Sequence, residues 1–215
     1  MNNSIIKEDR LNYVLVEGRD DVEVVRHLLI YYNLEPYITV ENKQGINNLL
    51  EGLEVELMRR AETRLAVIVD ADTDISHCWL SLRQRLIEAG YTTVPPQPAP
   101  DGTIIGQTNR PTVGIWLMPD NTLSGMIEDF ISMLIPENDM LWPIAQNVVQ
   151  QVIVTDRRFP ETQTAKANIH TWLAWQEEPG KPMGQAITKR YLKADALHAQ
   201  KLIAWLRRLF DLESA

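Results

Sequence analysis

Cysteine is almost absent from this chain. Cys78 is the single thiol in 215 residues, which excludes an internal disulfide framework and any multi-cysteine zinc ribbon. Histidine is scarce too: His27, His77, His170 and His198 are scattered without metal-ligand spacing. No apolar run approaches the ~20 residues that span a bilayer, so no membrane partner is expected. Met1-Asn2-Asn3-Ser4 has neither the basic nor the apolar region of a secretion signal, and a cytoplasmic location is the expectation. There is no serine nucleophile elbow and no phosphate-cradling glycine-rich loop. Positive charge is also short, the formal net charge being −8, which argues against a protein that simply coats nucleic acid. The imbalance is uneven: residues 1–150 carry 11 Lys and Arg against 22 Asp and Glu, and residues 151–215 carry 10 against 7.

What the chain does have is acid at the ends of apolar runs. Tyr13-Val14-Leu15-Val16 leads into Glu17-Gly18-Arg19-Asp20-Asp21, and Leu65-Ala66-Val67-Ile68-Val69 leads into Asp70-Ala71-Asp72-Thr73-Asp74. Short β-branched runs of this kind are the buried strands of a parallel sheet, whose ligands gather beyond the carboxyl ends of the strands. If the two strands are neighbours, Glu17, Asp70 and Asp72 converge on a small volume. Like charges repel there unless a cation sits between them, which makes a magnesium site the physical expectation. Glu17 terminates its strand directly and is followed by Gly18, which lets a backbone or phosphate approach. Asp21, four residues on, can point back toward the same strand end, whereas Asp20 is read as a helix cap.

The order of elements supports a mostly parallel α/β sheet. Val22, Val25, Leu28 and Leu29 form a helical stripe over about 20–32, with Asp20 and Glu23 spaced as a capping box. A strand follows at 37–40, a helix from Gln44-Gly45, and the third strand from Leu65. A helix is predicted over 76–89 with Gly90 as its stop, and a strand over 91–94. Pro95 to Gly102 is a proline-rich loop feeding a small hairpin at 103–105. Thr112 to Leu117 is a further strand, followed by a helix over 123–134. Asp120 and the pair Glu128-Asp129 therefore form a third acidic group after a strand. The rest is helical, with Trp172, Trp175 and Trp205 expected to build a small core on the sheet. The division predicted is an α/β domain over 1–150 and a helical extension over 151–215 packed on it.

Two rivals are tested by spacing. A calcium loop requires glycine at position 75 and glutamate at position 81, where the chain has Ile75 and Ser81. A haloacid dehalogenase phosphatase expects threonine four residues after its first aspartate, where Asp74 stands. A small-molecule phosphohydrolase is thereby the more distant alternative.

A Glu-Gly turn after the first strand and an Asp-x-Asp after a later parallel strand resemble the Toprim domain of topoisomerases, primases and OLD-type nucleases. The motif residues are Glu17, Gly18, Asp70 and Asp72, within residues 11–130. More narrowly, Trp116-Leu117-Met118-Pro119-Asp120-Asn121 followed by Gly125, Glu128 and Asp129 resembles a small bacterial family related to Toprim. The resemblance implies a Rossmann-like, mostly parallel sheet flanked by helices and a Mg²⁺- or Mn²⁺-dependent reaction at a phosphodiester. It implies Glu17 as general acid or base and Asp70 and Asp72 as metal ligands, with Asp74 as a less regular third. Likeness to OLD-type nucleases adds Asp21, Asp120 and Glu128 to the ligands and Lys166 as a catalytic lysine near the phosphate. The partner implied is nucleic acid, DNA ahead of RNA. With no ATPase motif in the chain, an ATPase partner is expected to be a separate protein, and a homo-oligomer is a further candidate assembly. From a different class comes the alternative of a non-catalytic module that binds a partner ATPase or a nucleotide.

Overall fold

The computed structural model describes residues 12–59, 63–152 and 154–212, so the N-terminal Met1 to Ser4 lies outside the described residues. Its centre is a five-stranded sheet of β1 (Asn12–Val16), β2 (Ile38–Asn42), β3 (Arg64–Asp70), β4 (Thr103–Ile105) and β5 (Thr112–Met118), in the order β2-β1-β3-β5-β4. β1, β2, β3 and β5 run parallel, and β4 is an antiparallel edge. The expected α/β class and mostly parallel sheet are therefore present, and β1 and β3 are direct neighbours, with Val16 opposite Ile68.

The continuous apolar runs of β3 and β5 reflect burial on both faces, because successive side chains alternate between two cores. Val14, Val16, Ala66, Ile68, Trp116 and Met118 face one core. Leu15, Val67, Val69, Ile115 and Leu117 face the other. The second core is closed by α2 (Ile46–Arg59) and α3 (Ile75–Glu88), through Leu49, Leu53 and Leu57 and through Trp79, Leu82 and Leu86. α3 ends as its sequence requires: Gly90 takes φ +88°, and the amides of Gly90 and Tyr91 close back on Ile87 and Leu86.

The first core is covered by α1 (Arg19–Tyr31), α4 (Ile127–Ser132), α5 (Leu141–Gln151), α6 (Thr164–Leu173), α7 (Met183–Thr188) and α8 (Leu197–Phe210). α8 lies across β3 and β5, where Trp205 packs against Trp116 with ring centroids 5.5 Å apart and the rings tilted by 45°. Gly114 permits this approach, since a Cβ there would fall 2.5 Å from Leu209 Cδ2 and 2.8 Å from Trp205 Cζ2. Each large side chain so buried contributes about 1.5–3 kcal/mol.

Several expectations are corrected. Residues 91–94 form no strand: Tyr91 is buried with its hydroxyl donating to Pro111 O at 2.7 Å, and the Thr92 amide donates to the Gln107 side chain. The helix expected over 123–134 shrinks to Ile127–Ser132, because the residues before it form a turn that docks on the β3–α3 loop. Trp175 is 39% exposed and stands outside the tryptophan core. The N-cap of α1 is Gly18, capped by Asp21 rather than Asp20. Among the described residues no helix is long and apolar enough to cross a membrane.

Candidate functional site

The parallel order brings the carboxyl ends of β1, β3 and β5 to one rim, and the acidic residues stand there. Glu17 follows the last residue of β1, and the loop after β2 clamps this corner, with the Lys43 amide donating to Val16 O and the Gly45 amide to Glu17 O. Gly45 sits at φ +113°, a conformation that favours glycine. The Glu17 side chain reaches across to the end of β3, where Oε1 accepts a hydrogen bond from the Asp70 amide at 2.8 Å. It thereby extends the β1–β3 pairing after the backbone ladder stops at Val16 and Ile68.

Asp21 stands in the first turn of α1 and is buried. Its Oδ2 accepts from the Gly18 amide at 3.1 Å, while Oδ1 is buried without a partner. Asp70 repeats the pattern: its Oδ1 is also buried and unpartnered. Glu128, in the first turn of α4, is only 3% exposed and meets Lys166 of α6, whose Nζ lies 3.2 Å from Glu128 Oε1 and 3.7 Å from Asp20 Oδ2. Asp72 is exposed at the rim in a left-handed conformation (φ +50°), its amide donating to Gly125 O at 2.9 Å.

Burial and mutual repulsion shape the titration of these groups. Burial first, then the carboxylates of Asp21, Glu17, Glu128 and Asp72, push the Asp70 carboxyl up to about 9. Glu17 is pushed up to about 7, by burial and then by Asp21 and Asp72, against the opposing hydrogen bond from the Asp70 amide. Asp21 rises to about 6, mainly through burial, with Glu128 and Asp20 adding to it against its own backbone hydrogen bonds. Glu17, Asp21, Asp70, Asp72 and Glu128 thus share one electrostatic field.

The other two acidic residues expected as ligands each give one oxygen to a local cap or turn. Asp74 caps α3, its Oδ1 accepting from the amides of Ser76 and His77. Asp120 Oδ1 accepts from the amides of Thr122 and Leu123 and from the Thr122 hydroxyl, and these donors hold its carboxyl below the usual range, against burial. Ser124 Oγ accepts from the Ile75 amide, so the turn after β5 locks the turn after β3.

Among the described residues, no three Asp, Glu, His or Cys side chains are drawn together into a group able to hold an ion. The donor type is nevertheless that of a hard cation: carboxylates, two of them with a buried oxygen that has no hydrogen-bond partner, suit Mg²⁺ or Mn²⁺. A cleft of about 350 Å³ opens beside Asp70, Asp72 and Asp74 and is also lined by Asn47, His77 and Cys78. The Cys78 thiol donates to Asp70 O at 3.3 Å and is pushed up to about 12, chiefly by burial, which leaves it inert as a nucleophile. His77 was passed over in the sequence. Its signal is position, one turn into the helix that Asp74 caps.

Residues 11–211 match the family described as a protein of unknown function, DUF3226. The chain belongs to the DUF3226 family. No curated protein matches this DUF3226 chain. A solved structure of the C-terminal region of the Xanthomonas campestris pv. campestris OLD protein aligns with it at a TM-score of 0.45 and 15% identity, over 98% of this chain and 100% of that one.

Proposed function

We propose that this DUF3226 protein is a Toprim-like phosphodiesterase that hydrolyses or nicks nucleic acid with a divalent cation. The carrying observation is that Glu17, Asp21, Asp70 and Glu128 are buried or half-buried in one field while Asp21 Oδ1 and Asp70 Oδ1 lack partners. Such a concentration of negative charge is unfavourable unless it holds protons or a cation. In this reading Asp21, Asp70 and Glu128 face the cation from within and Asp72 from the rim. A bound Mg²⁺ or Mn²⁺ supplies positive charge that offsets both the carboxylates and the phosphodiester.

Glu17 is the proton-transfer group. Its carboxyl, near 7 and held by the Asp70 amide, can take a proton from an attacking water and return one to the leaving oxygen. Lys166 is half-exposed beside Glu128, where its ammonium can meet a phosphate oxygen. Asp74 and Asp120 shape the two loops that carry the site.

Nicking of supercoiled plasmid DNA with Mg²⁺ or Mn²⁺ tests this proposal. Glu17→Gln, and Asp70→Asn with Asp72→Asn, are expected to lower cleavage at least ~10²-fold while the far-UV spectrum stays unchanged. Cleavage at the wild-type rate in these variants overturns the reading. The open arrangement of the donors favours, as a second reading, a non-catalytic module that binds a partner ATPase or a nucleotide. Absence of cation binding, even with nucleic acid or nucleotide present, is the outcome that selects it.

A further inference from the structure

Among the described residues, none covers one apolar face of α5. Met140, Ile144, Val148 and Val152, spaced by four residues along one side, are 76%, 50%, 44% and 39% exposed. Ala145 and Val149, about a quarter-turn further round the helix, are buried against the core, so the exposed stripe borders the buried face. A contiguous stripe of this kind is unusual on an isolated surface and marks an interaction site.

We propose that this face is the two-fold interface of a homodimer, with α5 packed antiparallel on α5 of a second copy. Two features select a second copy as the occupant. The first is charge. Residues 140–155 contain no Lys, Arg, Asp, Glu or His and form the longest uncharged stretch of a chain whose net charge is −8. Two such molecules repel through any acidic face, and this neutral one brings no like charges together at its centre. Asp139 adjoins the face, but its carboxylate is turned inward, accepting from the Leu141 and Trp142 amides and from Trp172 Nε1. The second feature is order. Even spacing by four makes the stripe symmetric about position 146, so reversal places Ile144 against Val148 and Met140 against Val152, as an isologous contact requires. Rows spaced by four are also the ridges that interlock in the commonest helix–helix packing. Asn147 and Gln151, joined by a side-chain hydrogen bond of 2.9 Å, supply an uncharged polar rim.

Sedimentation equilibrium on the full chain tests the assembly. Expected is a mass about twice 24.6 kDa for the wild type, and the single-chain mass for Ile144→Glu or Val148→Glu with unchanged circular dichroism and melting temperature. A monomeric wild type across the micromolar range overturns the proposal, as does a dimer indifferent to both substitutions. The orientation is read by cross-linking under mild oxidation. A mixture of Ile144→Cys and Val148→Cys chains should form disulfide-linked dimers several-fold faster than either chain alone, with Cys78 half-buried and out of competition. Faster linking of either single variant than of the mixture overturns the antiparallel register.

Discussion

At the scale of single residues, the candidate site is marked by buried carboxylate oxygens that have no hydrogen-bond partner. Asp21 has one oxygen on the Gly18 amide and one buried without a partner, and Asp70 also has one buried without a partner. A carboxyl pushed up in the folded chain binds more protons folded than unfolded. Its contribution to stability is then fully present below the unfolded value and is lost as pH rises through the folded one. For Asp21, Glu17 and Asp70 that window runs from their ordinary values of 3.8–4.5 up to folded values of about 6, about 7 and about 9. The cation-free protein should therefore melt at progressively lower temperature from pH 5 to pH 9, and Mg²⁺ should raise the melting temperature more at pH 8.5 than at pH 5.5. Asp70→Asn removes the most strongly perturbed carboxyl and should stabilise the cation-free chain by roughly 1–3 kcal/mol at pH 8, read by denaturant melts. Glu17→Gln should stabilise the cation-free chain at pH 8 in the same direction but by less, because its carboxyl is less strongly raised and the amide oxygen can still accept from the Asp70 amide.

At the scale of elements, the strand ends are held in place by neighbouring turns and helices. Gly125 sits at φ +149°, its carbonyl accepts from Asp72, and a Cβ there would fall 2.7 Å from Asp129 Oδ2. Gly125→Ala should therefore destabilise the fold by about 1–3 kcal/mol and weaken cation affinity together, by differential melting with and without Mn²⁺. Gly184 stands where α7 meets α1, a Cβ there lying 2.6 Å from Glu23 O. Gly184→Ala should cost a similar amount yet leave cation affinity unchanged, since it displaces no strand end.

Much of this arrangement was legible. Apolar runs gave β1, β3 and β5, four-residue leucine spacing gave α2, and Gly90 gave the end of α3, because each is a local pattern with a local cause. Glu17, Asp70 and Asp72 stand at one rim because they follow β1 and β3, which are adjacent. Other features depend on distant partners and were misread. The segment 91–94 has strand composition but gives its amide to Gln107, and the helix before Ile127 yields to a turn bonded to residues some fifty positions away. Asp74 and Asp120 stand after strands as expected, and what the sequence does not show is that nearby amides hydrogen-bond Oδ1 of each.

At the scale of the whole molecule, net charge and location of charge act together. A chain at −8 gains little from phosphate contacts made by Lys and Arg, so under the proposed function binding to DNA should require the cation. In a mobility-shift assay, EDTA should abolish binding that Mn²⁺ restores, and Lys166→Ala should weaken the restored complex. The same acidity leaves α5 as the neutral place where two copies can meet.

The most direct measurement is calorimetric titration of Mn²⁺ into the protein at pH 7 in two buffers of different ionisation enthalpy. Carboxyls that share one field and hold protons until a cation displaces them should give saturable binding whose heat differs between the buffers, reporting proton release. Asp70→Asn should abolish both the binding and the buffer difference. Saturable binding without proton release, or binding that Asp70→Asn leaves intact, contradicts a cation held among these carboxyls.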